Sequence, residues 1–157
     1  MDQLWAPWRM VYLQKADEPG CFFCRDLAER NDAENLVVRR GKTCFCVMNR
    51  YPYNVGHLLV APMAHKARID LLTDEEKVEV WTMASDMQAL LDKVLAPHGY
   101  NLGVNLGRVA GAGVEGHLHL HIVPRWNGDT NFMPVVADTK VMPEALSALH
   151  ARLVAGA

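Results

Sequence analysis

One long stretch of the chain carries apolar residues at helical spacing. It opens at Thr73, with Glu76 three residues later, which is the arrangement of a capping box. The apolar stripe continues until Pro97 and Gly99 end it. We therefore predict a long helix that lies on one face of a sheet. The stripe consists of Val80, Met83, Ala84, Met87, Leu90, Leu91 and Val94.

Shorter runs rich in Val, Phe and Leu are bounded by Gly, Asn or Pro and predict β-strands. These runs cover residues 36–39, 44–48, 58–61, 102–106 and 117–123. A second helix is predicted to begin near Pro143, a residue suited to the first helical position. Its inward side chains would be Leu146, Leu149 and Leu153. Strands interrupted by one long helix, with another helix at the end, predict an α+β fold with a largely antiparallel sheet.

Composition and charge exclude several classes of protein. The chain has 157 residues, 50% of them hydrophobic and 22% charged, which is typical of one globular domain. The formal net charge is only -2 and the basic residues are scattered, so we expect a small ligand and no nucleic-acid polymer. An acid at position 2 and the lack of an apolar run of signal-peptide or membrane-spanning length predict a cytoplasmic protein without a membrane partner.

The strongest chemical signal is a run of alternating histidines. In a strand, His117, His119 and His121 would share one face, with leucine and isoleucine on the other. Burying three imidazoles is costly unless their nitrogens find partners. Three hypotheses remain open: a zinc hydrolase built on the three rings, a histidine nucleophile that attacks phosphorus, and a nucleotide-binding module without turnover. The small residues of the preceding segment 110–113 favour a phosphate ligand.

The histidine run also resembles a known family signature. Residues 117–124, His-Leu-His-Leu-His-Ile-Val-Pro, are similar to the motif of the histidine triad family of nucleotide hydrolases and transferases. Residues 47–52 and 56–60 resemble the upstream half of that domain. The resemblance covers about residues 20–136, and it implies an N-terminal arm over 1–19 and a C-terminal helical extension over 137–157. Residues 4–10 and 124–132 further resemble the family's bacterial diadenosine tetraphosphate phosphorylases and fragile-histidine-triad-like hydrolases.

The resemblance implies a role for each matching residue. His119 would be the nucleophile, supported by His121 and His57. The nucleotide would be held by Asn49 at the ribose, and by Leu59, Asn105, Gly107, Gly111 and Gly113. Relatives often have Ser, Thr or Gln where Gly113 stands, so backbone N–H groups must orient the phosphates here. The implied ligand is a small nucleotide, and no organic cofactor is expected.

The implied reaction is the cleavage of diadenosine tetraphosphate or a similar dinucleoside polyphosphate through a nucleotidyl-histidine. Inorganic phosphate as acceptor would give ATP and ADP. The alternative is a hydrolase of dinucleoside polyphosphates or nucleoside phosphoramidates, with water as acceptor. The segment 107–113, with Arg108 inside it, outlines an anion site and favours phosphate.

Cys21 and Cys24 form a Cys-x-x-Cys pair, which is typical of structural zinc sites and of redox motifs. A redox motif would need a thioredoxin-like βαβ context, which the pattern lacks. The family resemblance implies His65 and His117 as the two further zinc ligands. A reduced pair without metal is the alternative. Two other cysteines, at 44 and 46, share a face of a predicted strand and fit the core.

The resemblance implies a homodimer formed in part by the long helix and the strand next to it. Apolar residues on more than one side of that helix, Trp81 among them, agree with this. The remaining histidines, His98 and His150, are expected on the surface.

Overall fold

The computed structural model describes residues 20–131 and 140–157. The predicted N-terminal arm over 1–19, and the predicted boundary between 136 and 137, lie outside the described residues. Three α-helices and five strands are present in the described ranges, with short 3₁₀ turns at Ile69–Leu71 and Arg108–Ala110. In chain order they are α1 (Phe22–Glu29), β1 (Val37–Arg40), β2 (Cys44–Met48), β3 (Leu58–Pro62), α2 (Asp74–Leu95), β4 (Gly99–Val104), β5 (Leu120–Arg125) and α3 (Leu146–Gly156).

The five strands form one antiparallel sheet with the order β1-β2-β3-β5-β4. Helix α2 packs against β2, β3 and β5, and α3 packs against α2 and β1. Strands β2 and β3 are buried along their whole length because they lie at the centre of the sheet. The predicted α+β fold, with its mostly antiparallel sheet, long helix and C-terminal helix, is confirmed.

Helix α2 begins and ends as its sequence predicts. The Thr73 side chain accepts a hydrogen bond from the Glu76 N–H, and the Glu76 carboxylate accepts one from the Thr73 N–H, which completes the capping box. The helix ends at Leu95, where Ala96 takes a left-handed conformation before the proline. The predicted stripe faces the core, with six of its residues buried: Val80, Met83, Ala84, Met87, Leu90 and Leu91. None of the helices in the described ranges has the length and apolarity to cross a membrane.

Three elements differ from the predictions by more than one residue. Strand β4 covers Gly99–Val104 and not 102–106, so it begins three residues earlier and ends two residues earlier. Strand β5 begins at Leu120 and not at 117. Leu120 is its first residue paired with β3 and with β4, and the Leu118 N–H donates to the Lys66 carbonyl (2.7 Å) outside the sheet. His117 and His119 therefore precede the strand. Helix α3 begins at Leu146, after Ala145 at its N-cap, so Pro143 lies before the helix.

The structure also differs from the prediction for one histidine, and it contains one helix that was not predicted. His150 is buried and its Nε2 lies 2.9 Å from the Val37 carbonyl, which ties α3 to β1, so its expected surface position is wrong. His98 is exposed as expected. Helix α1, which follows Cys21 directly, was not predicted. Cys44 and Cys46 are buried in β2, as expected for core residues.

Candidate active site and metal cluster

A hydrogen-bonded pair of buried histidines forms the centre of the site. The loop between β2 and β3 returns His57 to the sheet, and the Tyr53 N–H donates to His57 Nδ1 (3.0 Å). Because Nδ1 accepts, the proton of a neutral His57 lies on Nε2. That Nε2–H donates to His121 Nδ1, 2.9 Å away. His121 accepts at Nδ1 and must therefore carry its own proton on Nε2.

His121 thus presents an N–H donor that has no protein partner. Its Nε2 atom is buried and makes no hydrogen bond within the part of the chain that the structure describes. A buried donor without a partner costs about 1–3 kcal/mol, which a ligand oxygen would recover. The Nε2–H of His121 is therefore available to donate to a bound ligand.

The neighbouring His119 has the opposite proton arrangement. Its Nδ1–H donates to the His117 carbonyl, 2.8 Å away, so the free Nε2 carries a lone pair. The ring is only 6% exposed, and burial lowers its pKa, which keeps the imidazole neutral. The rings of His119 and His121 have centroids 4.9 Å apart. A lone pair and an N–H donor therefore stand side by side on the two rings.

Burial keeps the histidine pair uncharged. It is the largest cause lowering the pKa of His57 to about 3, with the His121 and His119 rings adding to the effect. Burial and the neighbouring His119 ring lower the pKa of His121 to about 4. Both imidazoles are therefore neutral near pH 7. Negative charge on a substrate would meet an oriented N–H dipole at His121 and not a full positive charge.

Two of the predicted nucleotide-binding residues lie beside the histidine pair. Asn49 follows β2 directly, and its Nδ2 atom is 3.3 Å from His57 Nδ1. Its Oδ1 accepts the Tyr51 N–H (2.8 Å), which fixes the orientation of the amide. Leu59 in β3 is buried and is the register partner of His121 in β5. Both residues are thus placed near the site by the pairing of the central strands.

The predicted phosphate loop folds around the 3₁₀ turn Arg108–Ala110. Gly107 and Gly111 have φ values of +81° and +90°, a left-handed region that favours glycine. A side chain at Gly111 would lie 3.9 Å from Asn105 Nδ2, so these two predicted residues are neighbours. Gly107 lines an open groove of about 780 Å³ with Ala67 and Glu115, and Gly113 is exposed.

Three backbone amides of this loop are already used within it. The N–H groups of Ala110 and Ala112 donate to the Gly107 carbonyl, and the Gly111 N–H donates to the Arg108 carbonyl. These bonds shape the loop, so a phosphate would have to use other amides of the segment or the Asn105 side chain.

Four side chains converge beside the histidine segment. The ligand atoms of Cys21, Cys24, His65 and His117 all lie within 4.8 Å of one another. His117 Nδ1 is 3.2 Å from Cys21 Sγ and 3.6 Å from Cys24 Sγ, while His65 Nδ1 is 3.4 Å from Cys24 Sγ. Two thiolates and two imidazoles are a typical tetrahedral zinc set.

The proton positions of His117 fit metal binding. Its Nε2–H donates to the Pro62 carbonyl, 2.7 Å away, which leaves the Nδ1 lone pair facing the two sulfurs. The structure thus brings together all four of the residues that the sequence analysis grouped.

Three residues of this region were not predicted. Phe23, inside the Cys-x-x-Cys pair, is fully buried with its ring centroid 5.0 Å from that of His117 and 5.2 Å from that of His119. The Tyr53 ring lies 4.7 Å from the His57 ring. Lys140 donates from Nζ to the Tyr53 carbonyl. The position of Tyr53 between Asn49 and His57 in the chain could have indicated that it lies near the site. Lys140 lies far along the chain, and its sequence position gives no such indication.

Comparison with known proteins agrees with this geometry. Residues 30–128 match the model of the HIT domain. The chain is 39% identical over 155 residues to the AP-4-A phosphorylase of Mycobacterium tuberculosis, covering 93% of this chain and 79% of that protein. It is 26% identical to the adenosine 5'-monophosphoramidase of Schizosaccharomyces pombe, over 83% of this chain and 92% of that one.

A solved structure shows the same fold. The zinc-bound histidine triad family protein of Mycobacterium smegmatis superposes with a TM-score of 0.70 at 22% identity, covering 87% of this chain and 92% of that one. The matched range contains the buried histidine pair and two residues of the Cys/His cluster, His65 and His117. The other two, Cys21 and Cys24, precede it in the chain. The chain belongs to the HIT domain family, as its histidine motif predicted.

Proposed function

We propose that the protein is an enzyme that cleaves dinucleoside polyphosphates, such as diadenosine tetraphosphate, through a nucleotidyl-histidine on His119. The observation that carries the proposal is the proton arrangement of two adjacent rings. His119 offers a lone pair at Nε2, and His121 offers an unpaired Nε2–H beside it. A neutral nucleophile next to a hydrogen-bond donor suits attack on phosphorus with stabilisation of the phosphoryl oxygens.

In the first step, His119 Nε2 attacks the phosphorus next to one nucleoside. The P–N bond forms while the P–O bond to the rest of the chain breaks, and diadenosine tetraphosphate releases ATP. The His121 N–H donates to a non-bridging oxygen as its negative charge grows. Asn49 and Leu59 hold the nucleoside side of the substrate near the ring. Phosphoryl chemistry of this kind depends mainly on positioning and on charge stabilisation.

In the second step, inorganic phosphate attacks the same phosphorus and the P–N bond breaks. Its electron pair returns to His119 Nε2, and ADP leaves. The sum is diadenosine tetraphosphate plus phosphate giving ATP plus ADP. The resemblance to a phosphorylase at 39% identity over 93% of the chain supports phosphate as the acceptor.

Water is the alternative acceptor. It would convert the nucleotidyl-histidine to AMP, and the same two rings would then serve a hydrolase of dinucleoside polyphosphates or nucleoside phosphoramidates. The similarity to an adenosine 5'-monophosphoramidase supports this second candidate.

The choice is tested with a panel of dinucleoside polyphosphates, with and without isotope-labelled inorganic phosphate. We expect phosphate to accelerate the reaction and the label to appear in ADP.

A variant tests the proposed nucleophile. H119A should keep less than about a hundredth of the wild-type turnover while it still folds and binds AMP, because the ring forms the bond to phosphorus and is not a packing element. Exposed His98 gives the matched control H98A, which should behave as wild type. A rate that does not depend on phosphate, with AMP and ATP as products, would establish a hydrolase. Substantial turnover by H119A would show that His119 is not the nucleophile.

We also propose that Cys21, Cys24, His65 and His117 bind a structural zinc ion. The convergence of their ligand atoms supports this, as does the fold shared with a zinc-bound protein. Such an ion would stabilise the position of α1 against the histidine segment and would take no part in the chemical step. Zinc-binding thiols must stay reduced, so we propose a cytoplasmic location.

Removal of one sulfur tests the metal site. We expect the wild type to bind about one zinc ion per chain. The variant C24S should lose most of that zinc, because three ligands do not close a structural site. The control is C46A, whose thiol is buried in β2 away from the cluster and which should keep its zinc. Full zinc content in both C21S and C24S would show that the metal binds elsewhere.

We further propose that the protein is a homodimer. Val78 and Trp81 are 63% and 61% exposed on α2, and Leu102 is 37% exposed on the edge strand β4. Apolar side chains on neighbouring exposed elements are typical of an interface.

Light scattering at micromolar concentration tests the assembly. It should give twice the chain mass of 17.6 kDa. The variant W81E should lower that mass, because a buried charge without a partner opposes association. A wild-type mass of one chain would contradict the dimer.

A further inference from the structure

Lys140 stands next to the histidine pair without a role in the proposed reaction. Its Nζ donates to the carbonyl of Tyr53, and the N–H of the same residue donates to His57. The Tyr53 ring stacks on His121 with centroids 5.8 Å apart and an interplanar angle of 9°. One residue therefore links the ammonium group of Lys140 to both members of the histidine pair.

A series of contacts connects the ammonium group to His119. Lys140 donates to Tyr53, the Tyr53 ring stacks on His121, and the rings of His121 and His119 have centroids 4.9 Å apart. Burial is the largest cause lowering the pKa of His57, and the nearby Lys140 charge adds to it. A substrate phosphate at His119 and His121 would therefore lie in the same part of the site as the charge of Lys140.

Among the described residues, Arg125 forms an ion pair with Asp129, whereas Lys140 forms none. The Arg125 guanidinium makes two hydrogen bonds with the Asp129 carboxylate, at 2.5 and 3.0 Å, and Asp129 also accepts from Asn54. Lys140 is partly buried, and burial lowers its pKa despite the nearby Asp129. An ammonium group has three N–H donors, and among the described residues only the Tyr53 carbonyl accepts one of them.

A substrate with a polyphosphate chain would be stabilised by a cation near the histidine pair. A dinucleoside tetraphosphate carries several negative charges beyond the phosphate under attack, and the buried histidines are neutral. His57 and His121 can therefore orient a phosphate, but they do not balance the charge of the phosphates that follow it. Lysine is a common ligand of such phosphates because it acts as a compact point charge.

We propose that Lys140 binds the phosphates of the substrate that lie beyond the one attacked by His119. This inference rests on the proposed function, since it assumes a substrate with a polyphosphate chain. Tyr53 is a positioning residue in this arrangement, because its carbonyl holds the ammonium group while its amide and ring hold His57 and His121. The same charge makes the site selective for polyphosphates over substrates with a single phosphate.

The test compares two substrates in the variants K140M and K140R. One is diadenosine tetraphosphate and the other is adenosine 5'-phosphoramidate, which has a single phosphate. We expect the ratio of their kcat/KM values to shift about ten- to a hundredfold against the tetraphosphate in K140M, the size of a lost charged hydrogen bond. K140R should restore most of the ratio. The control is K93M, because Lys93 also donates to a backbone carbonyl, that of Gly156, but between α2 and α3.

A proportional loss on both substrates would mean a structural role for Lys140, and an unchanged ratio would mean no contact with the distal phosphates; either overturns the proposal. Calorimetric binding of ATP and AMP to the same variants separates this result from a failure of the proposed function. If the wild type does not cleave diadenosine tetraphosphate, the proposed function fails, yet a selective loss of ATP affinity in K140M still supports the phosphate contact. An equal effect on ATP and AMP overturns it.

Discussion

The hydrogen bond from the Tyr53 N–H to His57 Nδ1 determines the chemistry of the site. A backbone amide can only donate, so it forces His57 to carry its proton on Nε2, and that proton in turn fixes His121. The loop that supplies the amide is itself tightly held. Gly56 has a φ of +74°, and a side chain there would approach Leu95 of α2 to 2.7 Å. The packing of the loop against α2 therefore sets the proton position on His121.

His117 joins the Cys/His cluster to His119, the proposed nucleophile. Its ring faces the two cysteine sulfurs, and its carbonyl accepts the Nδ1–H of His119. Phe23, which lies between those cysteines in the chain, packs against both histidine rings. A zinc ion bound there would stabilise the segment that fixes the lone pair of His119, although it would not touch the substrate. The segment 117–119 therefore contributes both to the Cys/His cluster and to the orientation of the His119 ring.

Local sequence patterns were sufficient for the elements that local forces form. The capping box and apolar stripe predicted α2, and short apolar runs predicted the two central strands closely, because these signals act within a few residues. Helix α1 was missed because it is short and its N-cap, Cys21, makes no side-chain capping bond. The burial of His150 depends on a carbonyl in β1, 113 positions away in the chain. The histidine motif predicted which residues form the candidate site. The proton positions of these histidines depend on the Tyr53 N–H and the Pro62 carbonyl, which only the fold brings near.

Fixed hydrogen bonds give His119 a free Nε2 and give His121 an Nε2–H. Nitrogen-15 NMR of the imidazole rings measures this directly, since the ring nitrogens report which atom carries the proton. At pH 7 we expect a neutral His119 protonated on Nδ1, with His57 and His121 neutral and protonated on Nε2. Because the pKa values of His57 and His121 are about 3 and 4, that pair should remain neutral at pH 5. A proton on Nδ1 of His121 at pH 7, or a charged His121 ring at pH 5, would show that the hydrogen bonds do not fix the protons in this way.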